Sequence, residues 1–234
     1  MVNDIKIEIC IGSADDGLKA ASYPIDRIEL NSALELGGLT PTLETLKYLK
    51  ERIDVPLCCM DRIRSGDFCY SETEYEVMFR DAKNMLEAGA DGIVFGFLNE
   101  DRTVNKEKTK KMAELIHSYG KEAIFHKAFD EITDLDEAIQ TLISFKIDRI
   151  LTSGKAVYPE ILKGCEEIRR LNDRYGDSIQ LLPGGGVRIE NIQDVLRISN
   201  SKQVHMTSKM TSAKGYPVLD EDQLEKMLEK ISSM

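Results

Sequence analysis

The sequence predicts an α/β chain closed into a (β/α)8 TIM barrel, and three observations predict it. Short apolar or β-branched runs alternate eight times with helical patterns. The segments Asp26-Arg27-Ile28-Glu29-Leu30, Asp91-Gly92-Ile93-Val94-Phe95 and Asp148-Arg149-Ile150-Leu151-Thr152 open the second, fourth and sixth strands alike. That echo recurs at every second βα unit and favours a closed ring over an open sheet. A doubly wound sheet is the alternative, but the triple glycine Gly184-Gly185-Gly186 follows the seventh strand, not the first. With no linker or low-complexity tract, residues 1–234 read as one domain.

In order, strands are expected over Ile5–Ile11, Arg27–Leu30, Val55–Met60, Gly92–Phe97, Glu122–His126, Arg149–Thr152, Ile179–Leu182 and Gln203–Met206. Helices are expected over Ser13–Ser22, Leu43–Glu51, Ser71 to about Ala88, and near 105–118, 134–144, 157–174, 190–198 and 220–231. Ser71-Glu72-Thr73-Glu74 is a capping box, in which hydroxyl and carboxylate satisfy the free amides of a helix start. Short apolar strands separated by helices predict parallel pairing buried on both faces.

The 234 residues carry 31 Lys and Arg against 41 Asp and Glu, a net charge of −10. That balance argues against a nucleic-acid or anionic-membrane partner, because both are held chiefly by cations on phosphate. No run approaches the roughly 18 apolar residues of a membrane span, and the polar start carries no signal-peptide pattern. Five cysteines, odd in number and mostly within strand-like runs, read as reduced thiols of a cytoplasmic protein.

A barrel of this kind does its chemistry at the carboxyl ends of its strands. On the first strand Glu8 and Cys10 share a face while Ile7, Ile9 and Ile11 take the other. Glu8 and Glu29, if inward, need cations such as Arg27, Arg62 or Arg149. They form either a salt-bridge layer or part of a site, with Glu8 a candidate proton carrier. After the third strand, Arg62 and Arg64 stand two apart ahead of Asp67. They suit an oxyanion, or else brace the loop as an Arg–Asp pair. His126 ends the fifth strand, either as a general acid–base or as a structural histidine. Lys127 would face away from it on a regular strand, and the sixth strand carries Leu151 where a Schiff-base lysine could stand, so a class I aldolase is not expected.

Gly184, Gly185 and Gly186, with Thr207 after the eighth strand, lie where many barrels hold phosphate between the last two loops, unless the glycines serve only a turn. A metal site has thinner support. Cys10 and His205 sit on neighbouring strands of a closed ring and could meet around soft Cu(I), with plain core thiols as the alternative.

Taken together, these loops resemble the CutC family of copper-homeostasis proteins. The resemblance rests on Glu8-x-Cys10-x-x-Ser13, Gly37-Gly38-Leu39-Thr40-Pro41, Arg62-x-Arg64-x-Gly66-Asp67-Phe68-x-Tyr70-Ser71, Phe125-His126-x-Ala128-Phe129-Asp130, Pro183-Gly184-Gly185-Gly186-Val187 and His205, and runs from about Ile7 to Ser208. It implies a cytoplasmic TIM barrel, often a homo-oligomer, assigned to copper homeostasis, with copper bound in some members. This chain has Asn31 where the family pattern usually has Cys, which removes the second thiol of a Cu(I) pair beside Cys10. Two readings follow: a protein binding Cu(I) at the mouth through Cys10 and His205, or an enzyme acting on a small anionic, phosphorylated substrate. In the second, Arg62, Arg64 and the glycine loop grip the anion while His126 or Glu8 moves a proton.

Overall fold

The strands pair in the order β7-β6-β5-β4-β3-β2-β1-β8, every ladder parallel, so first and last strands meet and the sheet curls into a barrel. The computed structural model describes residues 2–234; Met1 lies outside the described residues. In chain order the elements are β1 (Lys6–Ile11), α1 (Ala14–Ala20), β2 (Arg27–Leu30), α2 (Leu43–Lys50), β3 (Leu57–Met60), α3 (Glu72–Glu87), β4 (Gly92–Phe95) and α4 (Lys106–Ser118). They continue through β5 (Glu122–Phe125), α5 (Leu135–Ser144), β6 (Arg149–Thr152), α6 (Cys165–Tyr175), β7 (Gln180–Pro183), α7 (Ile192–Ser199) and β8 (Gln203–Met206), then a hairpin of β9 (Lys209–Thr211) and β10 (Pro217–Leu219), and α8 (Glu221–Ser232).

The repeated aspartates have a mechanical role. Carboxylates of Asp26, Asp91 and Asp148 accept the backbone N–H of Ile7 (2.9 Å), Leu57 (3.0 Å) and Ala123 (2.8 Å) on the preceding strands. Each ties the start of an even-numbered strand to the strand before it. The Ser71–Glu74 capping box forms as expected, both halves present. Among the described residues no ladder joins β7 to β8. The Gln203 amide and the Ser201 hydroxyl donate to the Leu181 carbonyl instead, at 3.1 and 3.4 Å.

Two differences from the sequence reading have local causes. The helix expected from residue 157 becomes a turn, a 3-10 stretch (Ile161–Gly164) and then α6. A Cβ on Gly164 would sit 1.8 Å from the Ser153 carbonyl, so the chain there is pinned against the strand-six loop and takes regular helix only afterwards. The β9–β10 hairpin was not anticipated; its exposed β9 lacks the alternation that signals a strand.

Ile7, Ile9, Ile11, Ile28, Leu30, Phe95, Phe125 and Ile150 point outward and pack against the helices. Inside the ring lies a smaller apolar cluster of Cys58, Met60, Val94 and Ile124. Beside Leu151 and Leu182, the rest of the lumen is largely polar and charged. Among the described residues no helix is long and apolar enough to cross a membrane.

Candidate functional site

The floor of the site is a charged layer built by alternate residues of β1, β2, β6 and β8. Arg27 Nε donates to Glu8 at 2.9 Å, Arg149 lies 3.8 Å from the same carboxylate, and Nδ1 of His205 meets its other oxygen at 2.9 Å. Arg149 also pairs with Glu122 at 2.7 Å, and Gln203 accepts from Arg27 at 2.9 Å. Burial pushes the Glu8 carboxyl up, but the His205 hydrogen bond and the Arg149 and Arg27 charges outweigh it and hold it well below the usual range. Of the cations expected for the two inward glutamates, Arg27 and Arg149 reach Glu8. Glu29 has His205 at 4.0 Å and Asn31 instead.

Above that layer Cys10, Glu29 and His205 converge, their ligand atoms all within 4.8 Å of one another and all buried. Asn31 Nδ2 donates to Cys10 Sγ (3.3 Å) and Glu29 Oε1 (2.9 Å), leaving Glu29 Oε2 without a hydrogen bond, its nearest cation being His205. Burial and the Glu29 charge push the Cys10 thiol up. Burial lowers His205, but the Glu29 charge and the hydrogen bonds to Cys10 and Glu8 raise it well above an ordinary histidine. A thiol, an imidazole and a carboxylate with a carboxylate-backed ring make a donor set for a transition-metal ion.

This cluster opens into a cavity of about 490 Å³ at the carboxyl ends of the strands. Cys10, Arg62, His126, Gly185 and His205 all line it. Arg62 is 8% exposed; its guanidinium donates to the carbonyls of Leu36 and Gly38 through Nη1 (3.2 and 3.3 Å) and of Gly66 through Nη2 (3.1 Å), and lies over the Phe68 ring at 5.2 Å. Among the described residues no carboxylate forms an ion pair with it. His126, 3% exposed, accepts the Ala128 amide on Nδ1 at 3.1 Å, so its proton resides on Nε2, which has no partner. Burial, with the Arg62 charge, pushes its pKa down to about 3. The ring lies against Phe68, centroids 4.7 Å apart and planes tilted by 53°. The ring is therefore neutral near neutral pH, with Nε2–H as a donor.

Residues 5–210 match the CutC family. The chain is 39% identical over 207 residues to a CutC family protein of Treponema denticola, covering 88% of this chain and 82% of the relative. It is 35% identical over 213 residues to the human protein named copper homeostasis protein cutC homolog, covering 91% and 77%.

The chain belongs to the CutC family.

Structure agrees: CutC of Streptococcus agalactiae superposes with a TM-score of 0.79 at 29% identity, covering 86% of this chain and 97% of that one. Phosphoribosyl anthranilate isomerase of Thermococcus kodakaraensis, at 17% identity and a TM-score of 0.63 over 98% of this chain and all of that one, shares the barrel fold.

Not every residue singled out in this CutC-family sequence reaches the cavity. Arg64 turns away, pairing with Glu74 at 2.5 Å and Asp67 at 3.1 Å over the Tyr70 ring, so these residues brace the loop. Glu8 lies beneath the cavity floor, and Gly184 packs under Leu151 and His205. Gly185 and Gly186 line the wall with φ of +95° and +110°, and Thr207 joins them. Met206 packs into the outer core and also borders the cavity.

Lys127 corrects an expectation. β5 stops at Phe125 and a 3-10 turn (Lys127–Glu131) begins, capped by the His126 side chain. That turn swings Lys127 into the cavity, its Nζ 2.7 Å from where a Cβ on Gly185 would stand. Glu29, expected inward as part of a salt-bridge layer or a site, and Asn31, expected beside Cys10, also line the cavity, and Tyr158 and Arg188 join them unforeseen. The Glu29-x-Asn31 spacing after Glu8-x-Cys10 carried the signal for the first two; nothing local marked the others.

Proposed function

We propose that this chain handles copper in the cytoplasm, holding the ion at the barrel mouth between Cys10, His205 and Glu29. The observation that carries this is the convergence of the three buried donor atoms at the base of an open cavity. Thiolate and imidazole suit a soft copper ion, and the Glu8 carboxylate on His205 would orient the ring from the outer sphere. The relatives named for copper homeostasis support the role, and five free cysteines suit a reducing compartment. Binding would displace protons from Cys10 and His205. A competition titration of the reduced protein against a Cu(I) chelator tests this. Binding at one equivalent, lost in Cys10→Ser and weakened about 10–100-fold in Glu8→Gln, is expected. Undiminished binding by Cys10→Ser removes the site.

Arg62 supports a second reading, a small anion in the same cavity. A buried guanidinium without a counter-charge is costly, and an anionic ligand would supply the missing charge. Phosphonoacetate raising the thermal midpoint of the wild type more than that of Arg62→Gln is the expected result.

A further inference from the structure

The cavity walls carry Arg62, Lys127, Arg188 and Lys209 against Glu29 and Glu35, an excess of positive charge in a protein whose net charge is −10. The cations are not pooled. Arg62 is fixed on one side by carbonyls of the loops after β2 and β3. On the other, Lys127, with Asp130 at 3.7 Å, lies against Gly185, and the backbone turns through Gly185 and Gly186 at positive φ toward Arg188. β3 and β7 stand four strands apart around an eight-stranded ring, which puts the two cationic groups on opposite walls of one cavity. Between them, after β5, is the partnerless Nε2–H of His126.

Resting on the anionic-ligand reading above, we propose that the cavity takes a small dianion with two separated acidic groups. A planar carboxylate would be held by Arg62, and a phosphate-class group by Lys127 and the Gly185–Gly186 loop. His126 donates Nε2–H to an oxygen between them. Arg62 suits the carboxylate because a rigid planar fork matches a planar oxyanion. The glycine side suits a tetrahedral group because chain without Cβ atoms lets an anion approach backbone and ammonium together. A ligand with one acidic group satisfies only one wall.

Calorimetric titration of the metal-free protein with phosphonoacetate, methylphosphonate and acetate tests this. Phosphonoacetate is expected to bind at least tenfold more tightly than either single-ended probe. Arg62→Gln should remove that advantage while leaving methylphosphonate affinity unchanged, and Lys127→Gln should weaken both phosphonates. Should Arg62→Gln fail to fold, amide spectra of the wild type give the same answer. Methylphosphonate should shift Gly185 and Gly186, and phosphonoacetate should shift those together with Gly38 and Gly66, which flank Arg62. Methylphosphonate binding with no gain from the added carboxylate overturns the dianion and leaves the anion reading intact. Failure of all three probes overturns both.

Discussion

The backbone amide of Ala128 donates to Nδ1 of His126 at 3.1 Å, which decides the tautomer of the one histidine facing the Arg62 wall of the cavity. A ring nitrogen that accepts an amide hydrogen bond is unprotonated, so the remaining proton points from Nε2.

That arrangement predicts a pH dependence. The folded ring titrates at about 3 and the unfolded one near 6.5, so between these values the unfolded state binds the extra proton. Stability is complete above pH 6.5 and falls toward pH 3, by up to roughly 1.4 kcal/mol per pH unit from this group. Urea midpoints from pH 4 to 7 should show a shallower slope for His126→Gln than for the wild type. Parallel slopes would mean that the ring is not held neutral.

Asp61 predicts the opposite sign. It is fully buried, both carboxylate oxygens lack a partner, and burial, with the nearby Asp81, pushes its pKa well above 3.8. Above pH 3.8 the unfolded chain loses a proton that the folded chain keeps, so this residue costs stability as pH rises. Asp61→Asn removes the titration and nearly preserves the shape. It should gain stability over the wild type at pH 7 and not at pH 3.5. An equal difference at both pH values would refute the buried neutral acid.

Glu8 neutralises two buried cations at once. Glu8→Gln leaves Arg27 and Arg149 beneath the cavity with one carboxylate fewer, and should destabilise the barrel by about 3–5 kcal/mol. The chemical-denaturation midpoint should drop with an unchanged slope. A loss below about 1 kcal/mol would show that Glu122 and Gln203 suffice as partners.

Gly186 and Gly120 separate backbone strain from crowding. Both have positive φ, +110° and +68°. A Cβ on Gly186 would stand 2.3 Å from the Pro159 carbonyl, while nothing lies within 4 Å of one on Gly120. Gly120→Ala should cost about 1 kcal/mol, and Gly186→Ala about 3 or more. Equal losses in thermal unfolding would place Pro159 farther away than the structure has it.

Periodicity could reveal which residues face the lumen because pleating forces alternation: Glu8 and Cys10, Arg27 and Glu29, Ile7 against both. It could also reveal that strand ends carry the chemistry, since a closed parallel ring leaves its loops on one rim. It could not reveal where a strand stops. β5 ends one residue early because the His126 side chain caps a 3-10 turn, and that single residue turns Lys127 from the far face into the cavity.

The sequence by itself determined the barrel, its order of elements, the inward carboxylates and thiol, and the membership that its loop motifs announce. Each follows from local pattern, which the backbone reads residue by residue. Tertiary structure alone decided the partnerships: Arg62 with carbonyls and no carboxylate, Arg64 spent on Glu74, Glu29 joined to Cys10 and His205, and Lys127 set against Gly185. Such pairings depend on distances between segments far apart in the chain, and only the closing of the ring fixes those.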